Sequence, residues 1–113
     1  MDIKFKQEND IGIVKIEGKL VASNSNDLKT FFQSSLDKTI KFVVDLSEMD
    51  FIDSTGLGAL VSCLKKAIEV DGDIYIANLA TKPRLVFEMT RAFKIFTVFD
   101  DVMTALEAFE NRE

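Results

Sequence analysis

Asp53-Ser54-Thr55-Gly56-Leu57-Gly58 sets two hydroxyls beside a carboxylate where an extended pattern gives way to a helical one. Upstream, Ile40 to Leu46 is a short apolar run, followed by polar Ser47-Glu48 and a second apolar pair, Phe51-Ile52. Downstream, Leu57, Leu60, Val61, Leu64 and Ile68 recur at helical spacing. Ser54 is therefore expected at a loop-to-helix junction. The leading N–H groups of a helix lack intrahelical partners there, and the dipole favours negative charge. A phosphoryl group on such a serine would bring roughly −1.5 to −2 charge and three acceptor oxygens to a place that tolerates them. Capping needs only one of the three polar residues. Gly56 and Gly58, each costing about 1 kcal/mol against alanine in a helix, suggest close backbone approach or unusual dihedrals. Without a side chain, Gly56 is expected to leave the N–H groups approachable.

Other chemistries have less to stand on. The chain has no histidine, which removes Ser-His-Asp and Cys-His arrangements and the commonest zinc sites. Cys63 is the only cysteine, so no intrachain disulfide can form, and it reads as a small hydrophobe within the helix. Asp45, Glu48, Asp50 and Asp53 could in principle supply paired carboxylates for acid–base work. Two of them are expected in solvated loops, which argues against an enzyme. Gly-Leu-Gly alone is no nucleotide motif. A net charge of −5 argues against non-specific nucleic-acid binding. No apolar run reaches the ~18 residues of a membrane span, and Met1-Asp2-Ile3-Lys4 lacks the apolar core of a secretion signal. A cytoplasmic protein is expected.

The surrounding elements must position residues 53–58. At 113 residues, with 47% apolar and 29% charged side chains, the chain suits one domain over 1–113. Ile3 to Lys6 alternates as a half-exposed strand, Glu8-Asn9-Asp10 turns, and Ile11 to Glu17 returns, ended by Gly18-Lys19-Leu20. Ser23 to Asp27 offers caps for a helix whose Leu28, Phe31, Phe32 and Leu36 face the core. The near-continuous apolar character of Ile40 to Leu46 predicts a strand buried on both faces. After the turn Asp71-Gly72-Asp73 comes a buried strand, Ile74 to Ala77. Thr81 is expected to cap a helix with Pro83 in its first turn and Leu85, Val86 and Met89 on its apolar face. Phe96 to Phe99 suits a short edge strand. Asp100-Asp101 caps a last helix, with Val102, Leu106 and Phe109 inward. The fold class is α/β, a mixed sheet packed with about four α-helices.

The segment Asp45-Leu46-Ser47 together with Phe51 to Gly58 resembles the signature of bacterial anti-sigma factor antagonists of the STAS-domain family. The resemblance covers nearly the whole chain, with Gly18-Lys19-Leu20, Phe87-Glu88-Met89 and Phe93-Lys94-Ile95 at corresponding places. It implies a mixed sheet with helices mainly on one side and the motif at the start of the second helix. It also implies that Ser54, with Thr55 as runner-up, is phosphorylated by a partner anti-sigma factor that is a serine kinase. The unphosphorylated form would bind that kinase and release the sigma factor, and a serine/threonine phosphatase would reset it. ATP and magnesium would belong to the kinase, leaving this chain without a cofactor. The resemblance places partner binding on Asp53, Ser54, Thr55, Gly56, Leu57 and Gly58 and on the nearby Lys19, Val21 and Ser23. Two positions depart from the pattern. Val21 stands where many members carry an acid, which bears on kinase recognition. Thr90-Arg91-Ala92-Phe93 replaces a serine-glycine-containing loop and is expected either to vary a partner contact or to end the helix differently. A monomer is expected. The alternative is a STAS interaction subunit of another partner-switching or transport assembly.

Overall fold

The computed structural model describes residues 1–112. Its longest strand, β2 (Ile11–Leu20), meets β1 (Asp2–Glu8) in an antiparallel hairpin. Asn9 makes the turn with φ 56°, a left-handed conformation that asparagine tolerates better than most residues. β3 (Lys41–Asp45) lies parallel to β2, β5 (Asp73–Ala77) parallel to β3, and β6 (Thr97–Phe99) parallel to β5. The order is β1-β2-β3-β5-β6, so the sheet is mixed, as expected from the sequence.

The sixth strand does not lie on that path. β4 (Met49–Ile52) pairs in parallel with the last three residues of β2, Gly18 matching Met49 and Leu20 matching Ile52. Sequence reasoning ended the hairpin at Glu17 and saw Phe51-Ile52 only as an apolar pair. β2 instead continues through Gly18, where φ is +89° and the register shifts. Glycine adopts that dihedral without a Cβ clash, and the irregularity lets β2 turn from β3 towards β4. This bend carries Lys19 and Leu20 to the junction that precedes residue 54.

Alternation along the strands divides the core in two. Val14, Ile16, Phe42, Val44, Ile74 and Ile76 face α1 (Ser25–Ser35), α2 (Ser54–Glu69) and α3 (Thr81–Thr90). Ile11, Ile13, Val43, Tyr75 and Ala77 face α4 (Val102–Glu110), where Tyr75 stacks on Phe109 with centroids 3.9 Å apart. Phe42, Val43 and Val44 are all fully buried, the consequence of a central parallel strand covered on both sides. Ile40 and Leu46 fall just outside that strand.

Several details of the helices differ from expectation. The N-cap of α3 is Ala80, with Thr81 the first helical residue, and no side chain caps it. Its inward residues are Pro83 and Phe87, with Val86 half-buried, whereas Leu85 and Met89 point outward. Phe87 packs edge-on against Phe93 and tilted against Phe96, and seating this larger apolar group turns the helix away from the Leu85–Met89 stripe. In α2 the buried stripe runs through Leu57, Leu60, Cys63, Leu64 and Ala67, which leaves Ile68 on its exposed flank. In α1, Phe32 is buried and Phe31 half-buried, each packed edge-on to the other. Asp101 caps α4 by accepting from the Thr104 N–H, and Ala105 joins Leu106 and Phe109 inside while Val102 is half-buried.

Candidate functional site

Asp53 is the residue around which the junction is built. It is the N-cap of α2, with extended backbone (φ −99°, ψ 178°), and its Oδ1 accepts from the Gly56 N–H at 2.7 Å. Its Oδ2 accepts from the Ala22 N–H at 3.1 Å, and its own N–H donates to the Leu20 carbonyl at 3.2 Å. One half-buried carboxylate thus ties the start of α2 to the segment that follows β2. A cap explains the first bond. The second is a tertiary contact between residues thirty-one positions apart.

The segment after β2 is closed by Asn24. Its Oδ1 accepts from the Val21 N–H and its Nδ2 donates to the Lys19 carbonyl, both at 2.9 Å. Asn24 occupies the N-cap position of α1 without capping it, because its amide is engaged upstream. The structure therefore brings Lys19, Val21 and Ser23 to the same edge as residues 53–58. Lys19 and Ser23 are exposed and Val21 is half-buried.

Within the hexapeptide the side chains divide sharply. Ser54, Thr55 and Gly58 are exposed, whereas Gly56 and Leu57 are buried. Among the described residues neither the Ser54 nor the Thr55 hydroxyl makes a hydrogen bond. Asp53 occupies the Gly56 N–H, which leaves the Ser54 and Thr55 N–H groups at the positive end of the helix for an incoming anion. The two glycines differ in role. A Cβ on Gly56 would stand 2.3 Å from the Leu20 carbonyl oxygen, whereas one on Gly58 would meet nothing within 4 Å. Gly56 therefore lets α2 lie directly on the end of β2, and its own N–H is taken by Asp53.

The four acids considered for acid–base chemistry are held apart in function. Asp45, the last residue of β3, accepts at Oδ1 from the Ser47 N–H and from Asn78 Nδ2. Glu48 and Asp50 are exposed. No hydrogen-bond partner of Asp45 is shared with Asp53. Among the described residues no three of the histidine, cysteine, aspartate or glutamate side chains cluster to hold a metal ion, and no helix is long and apolar enough to cross a membrane.

Sequence reasoning missed Ala22 and Asn24 as structural parts of the site. Asn24 left a visible trace in the run Ser23 to Asp27, read there only as caps. Ala22 left none, because it contributes a backbone N–H.

Two predictions arise here. Asp53→Ala removes the partner of the buried Gly56 N–H and leaves the exposed Ala22 N–H to water, and should destabilise the domain by about 1–2 kcal/mol. Urea unfolding gives the loss, and amide exchange at Ala22 should accelerate beyond that of the β2 interior; unchanged exchange would mean that the second bond is dispensable. The other concerns Cys63, whose burial between α2 and the core pushes its thiol up to about 12. At pH 8 iodoacetamide should label the folded chain far more slowly than the urea-unfolded chain. Because the unfolded thiol ionises first, the stability that the neutral folded thiol contributes is present below pH ~9 and is lost as pH rises towards about 12.

A family model described as the STAS domain matches residues 2–105. The chain is 30% identical over 105 residues to BtrV of Bordetella bronchiseptica, provisionally named an anti-sigma factor antagonist, covering 85% of this chain and 90% of that one. It is 21% identical over 112 residues to the anti-sigma F factor antagonist of Paenibacillus polymyxa, covering 97% and 96%. Among solved structures it is similar to the anti-sigma factor antagonist SpoIIAA in its unphosphorylated form, with TM-score 0.76, 12% identity and coverage of 98% and 100%.

Proposed function

The chain belongs to the STAS domain family, and on that footing we propose that it is an anti-sigma factor antagonist switched by phosphorylation at Ser54. In its unphosphorylated form it binds an anti-sigma factor that is a serine kinase, and the sigma factor is released. The kinase supplies ATP and magnesium, and a serine/threonine phosphatase returns the chain to its binding form. The observation that carries this reading is the free, exposed Ser54 hydroxyl at the first turn of α2, beside the Asp53 carboxylate that ties α2 to the β2–α1 segment. The names of the relatives in Bordetella and Paenibacillus support it.

The binding surface in this reading is the exposed rim made by Ser54, Thr55 and Gly58 with Lys19 and Ser23. Asp53, Gly56 and Leu57 act beneath it, holding the rim in place. Val21 is half-buried, so the position where many members carry an acid contributes apolar contact here rather than charge.

The test is intact mass after incubation with ATP, magnesium and the kinase encoded nearest to this gene. Wild type should gain a single phosphate, Thr55→Ala should gain it too, and Ser54→Ala should not. An active kinase that leaves wild type unmodified would replace the switch with a constitutive STAS interaction subunit of another assembly. Phosphate persisting on Ser54→Ala and vanishing on Thr55→Ala would move the switch one residue along.

A further inference from the structure

The outward turn of α3 leaves an apolar surface that the core does not use. Leu85, Met89, Phe93 and Ile95 are four of the nine large apolar side chains exposed among the described residues, and Met89 is 85% exposed. Leu85 and Met89 lie one turn apart on the same helix face, with Lys82 a turn before Leu85. Phe93 belongs to the 3-10 turn Ala92–Lys94, where its ring rests edge-on against Phe87 with the Arg84 guanidinium 5.7 Å from its centroid. The patch is therefore mounted on a rigid base: Phe87 is fully buried, and Arg91 ends α3 in a fixed left-handed conformation (φ 61°).

Its charge is opposite to that of the molecule. Residues 82–94 carry Lys82, Arg84, Arg91 and Lys94 against Glu88, a local +3 in a chain of −5. Among the described residues none of these four cations forms an ion pair. Clustered apolar side chains framed by unpaired charge of one sign are the make-up of an interaction surface. α3 turns Pro83 and Phe87 inward and lies against β4, the strand that leads into Asp53.

We infer that the outer face of α3 and the following 3-10 turn docks an acidic, apolar-centred surface of the partner anti-sigma factor, as an anchor separate from the Ser54 switch. This rests on the reading above. The cations choose the sign of the partner surface and steer its approach, and Leu85, Met89 and Phe93 supply the desolvated centre. A protein surface fits better than an anionic bilayer. The basic stretch is short, includes Glu88, and sits on a molecule whose net charge opposes such a membrane. The division of labour leaves the switch to Ser54 and part of the affinity to this face, so a phosphate need not undo every contact.

Binding to the purified kinase encoded nearest to this gene, titrated calorimetrically without ATP, tests the proposal. Leu85→Ser/Met89→Ser should raise Kd by about tenfold or more, with an unchanged circular dichroism spectrum because both side chains are exposed. Lys82→Glu/Lys94→Glu should weaken binding and flatten its salt dependence between about 0.05 and 0.3 M. Ile68→Ser, an exposed apolar position on α2, should bind as wild type. Unchanged affinity in Leu85→Ser/Met89→Ser beside intact wild-type binding would reject the anchor and leave the antagonist reading standing. Absence of wild-type binding would overturn both. A wild-type dimer that dissociates in Leu85→Ser/Met89→Ser would assign the face to a second copy, and wild-type co-sedimentation with phosphatidylglycerol vesicles, lost in that variant, would assign it to a bilayer. Either result overturns the proposal.

Discussion

Phosphorylation of Ser54 is expected to weaken binding to the proposed kinase partner by about a hundredfold or more, which corresponds to about 2.7 kcal/mol, without unfolding the domain. Ser54 is exposed and belongs to neither core cluster, so a phosphate on its hydroxyl points to solvent rather than into the packing. Two local effects oppose one another. The Ser54 and Thr55 N–H groups and the helix dipole favour the added charge, whereas the Asp53 carboxylate, fixed by Gly56 and Ala22, repels it. The isolated domain therefore changes little. An interface shaped around a neutral hydroxyl changes greatly, because a desolvated and unpaired charge costs several kcal/mol. Calorimetric titration of phosphorylated and unphosphorylated chains against the kinase in the presence of ADP reads the loss, and circular dichroism reads the fold. A phosphorylated chain that binds as tightly as the unmodified one would refute the switch. A collapsed spectrum would show that it acts through unfolding instead.

The second large effect separates two glycines that look alike in sequence. Gly56→Ala should destabilise the domain by about 3 kcal/mol or more, and Gly58→Ala should stabilise it by about 0.5–1 kcal/mol. At position 56 the new methyl would stand 2.3 Å from the Leu20 carbonyl oxygen and 2.8 Å from the carbonyl carbon, both of them backbone atoms that no rotamer can move. To relieve the clash, α2 must lift from β2, which loosens the Asp53–Ala22 bond. At position 58 the methyl enters open space and removes the entropic cost of a glycine in a helix. Urea denaturation of the two variants beside wild type measures both. A Gly56→Ala midpoint within error of wild type would mean that the helix end shifts freely, and the site would then be far softer than its hydrogen bonds imply. Gly58→Ala has a further use. If it is more stable yet binds the kinase less well, position 58 belongs to the contact surface rather than to the fold.

Several features were legible because they depend on local chemistry. Asp53 as a cap needs only its short carboxylate ahead of a helical repeat, and Asp101 repeats that pattern at α4. Burial of Phe42 to Val44 on both faces follows from an uninterrupted apolar run between turn residues. The absence of histidine removed whole classes of chemistry before any geometry was considered.

What failed was rotation and reach. The stripe Leu85, Val86, Met89 has helical spacing, but so does Pro83, Val86, Phe87, and only the fit of Phe87 against Phe93 and Phe96 chooses between them. Strand β4 was hidden because its partner is the end of β2 beyond the bend at Gly18, a pairing that no window of neighbouring residues contains.

The sequence by itself determined the class of fold, the helix start at residue 54 and the presentation of a serine there, since hydrophobic period and capping act over a few neighbouring residues. Only the tertiary structure decided that the second Asp53 oxygen reaches Ala22, that Gly56 faces the Leu20 carbonyl, and that α3 turns Leu85 and Met89 to solvent. Each of these depends on distances between segments remote in the chain, which are set by how helices and strands pack and not by the residues beside them.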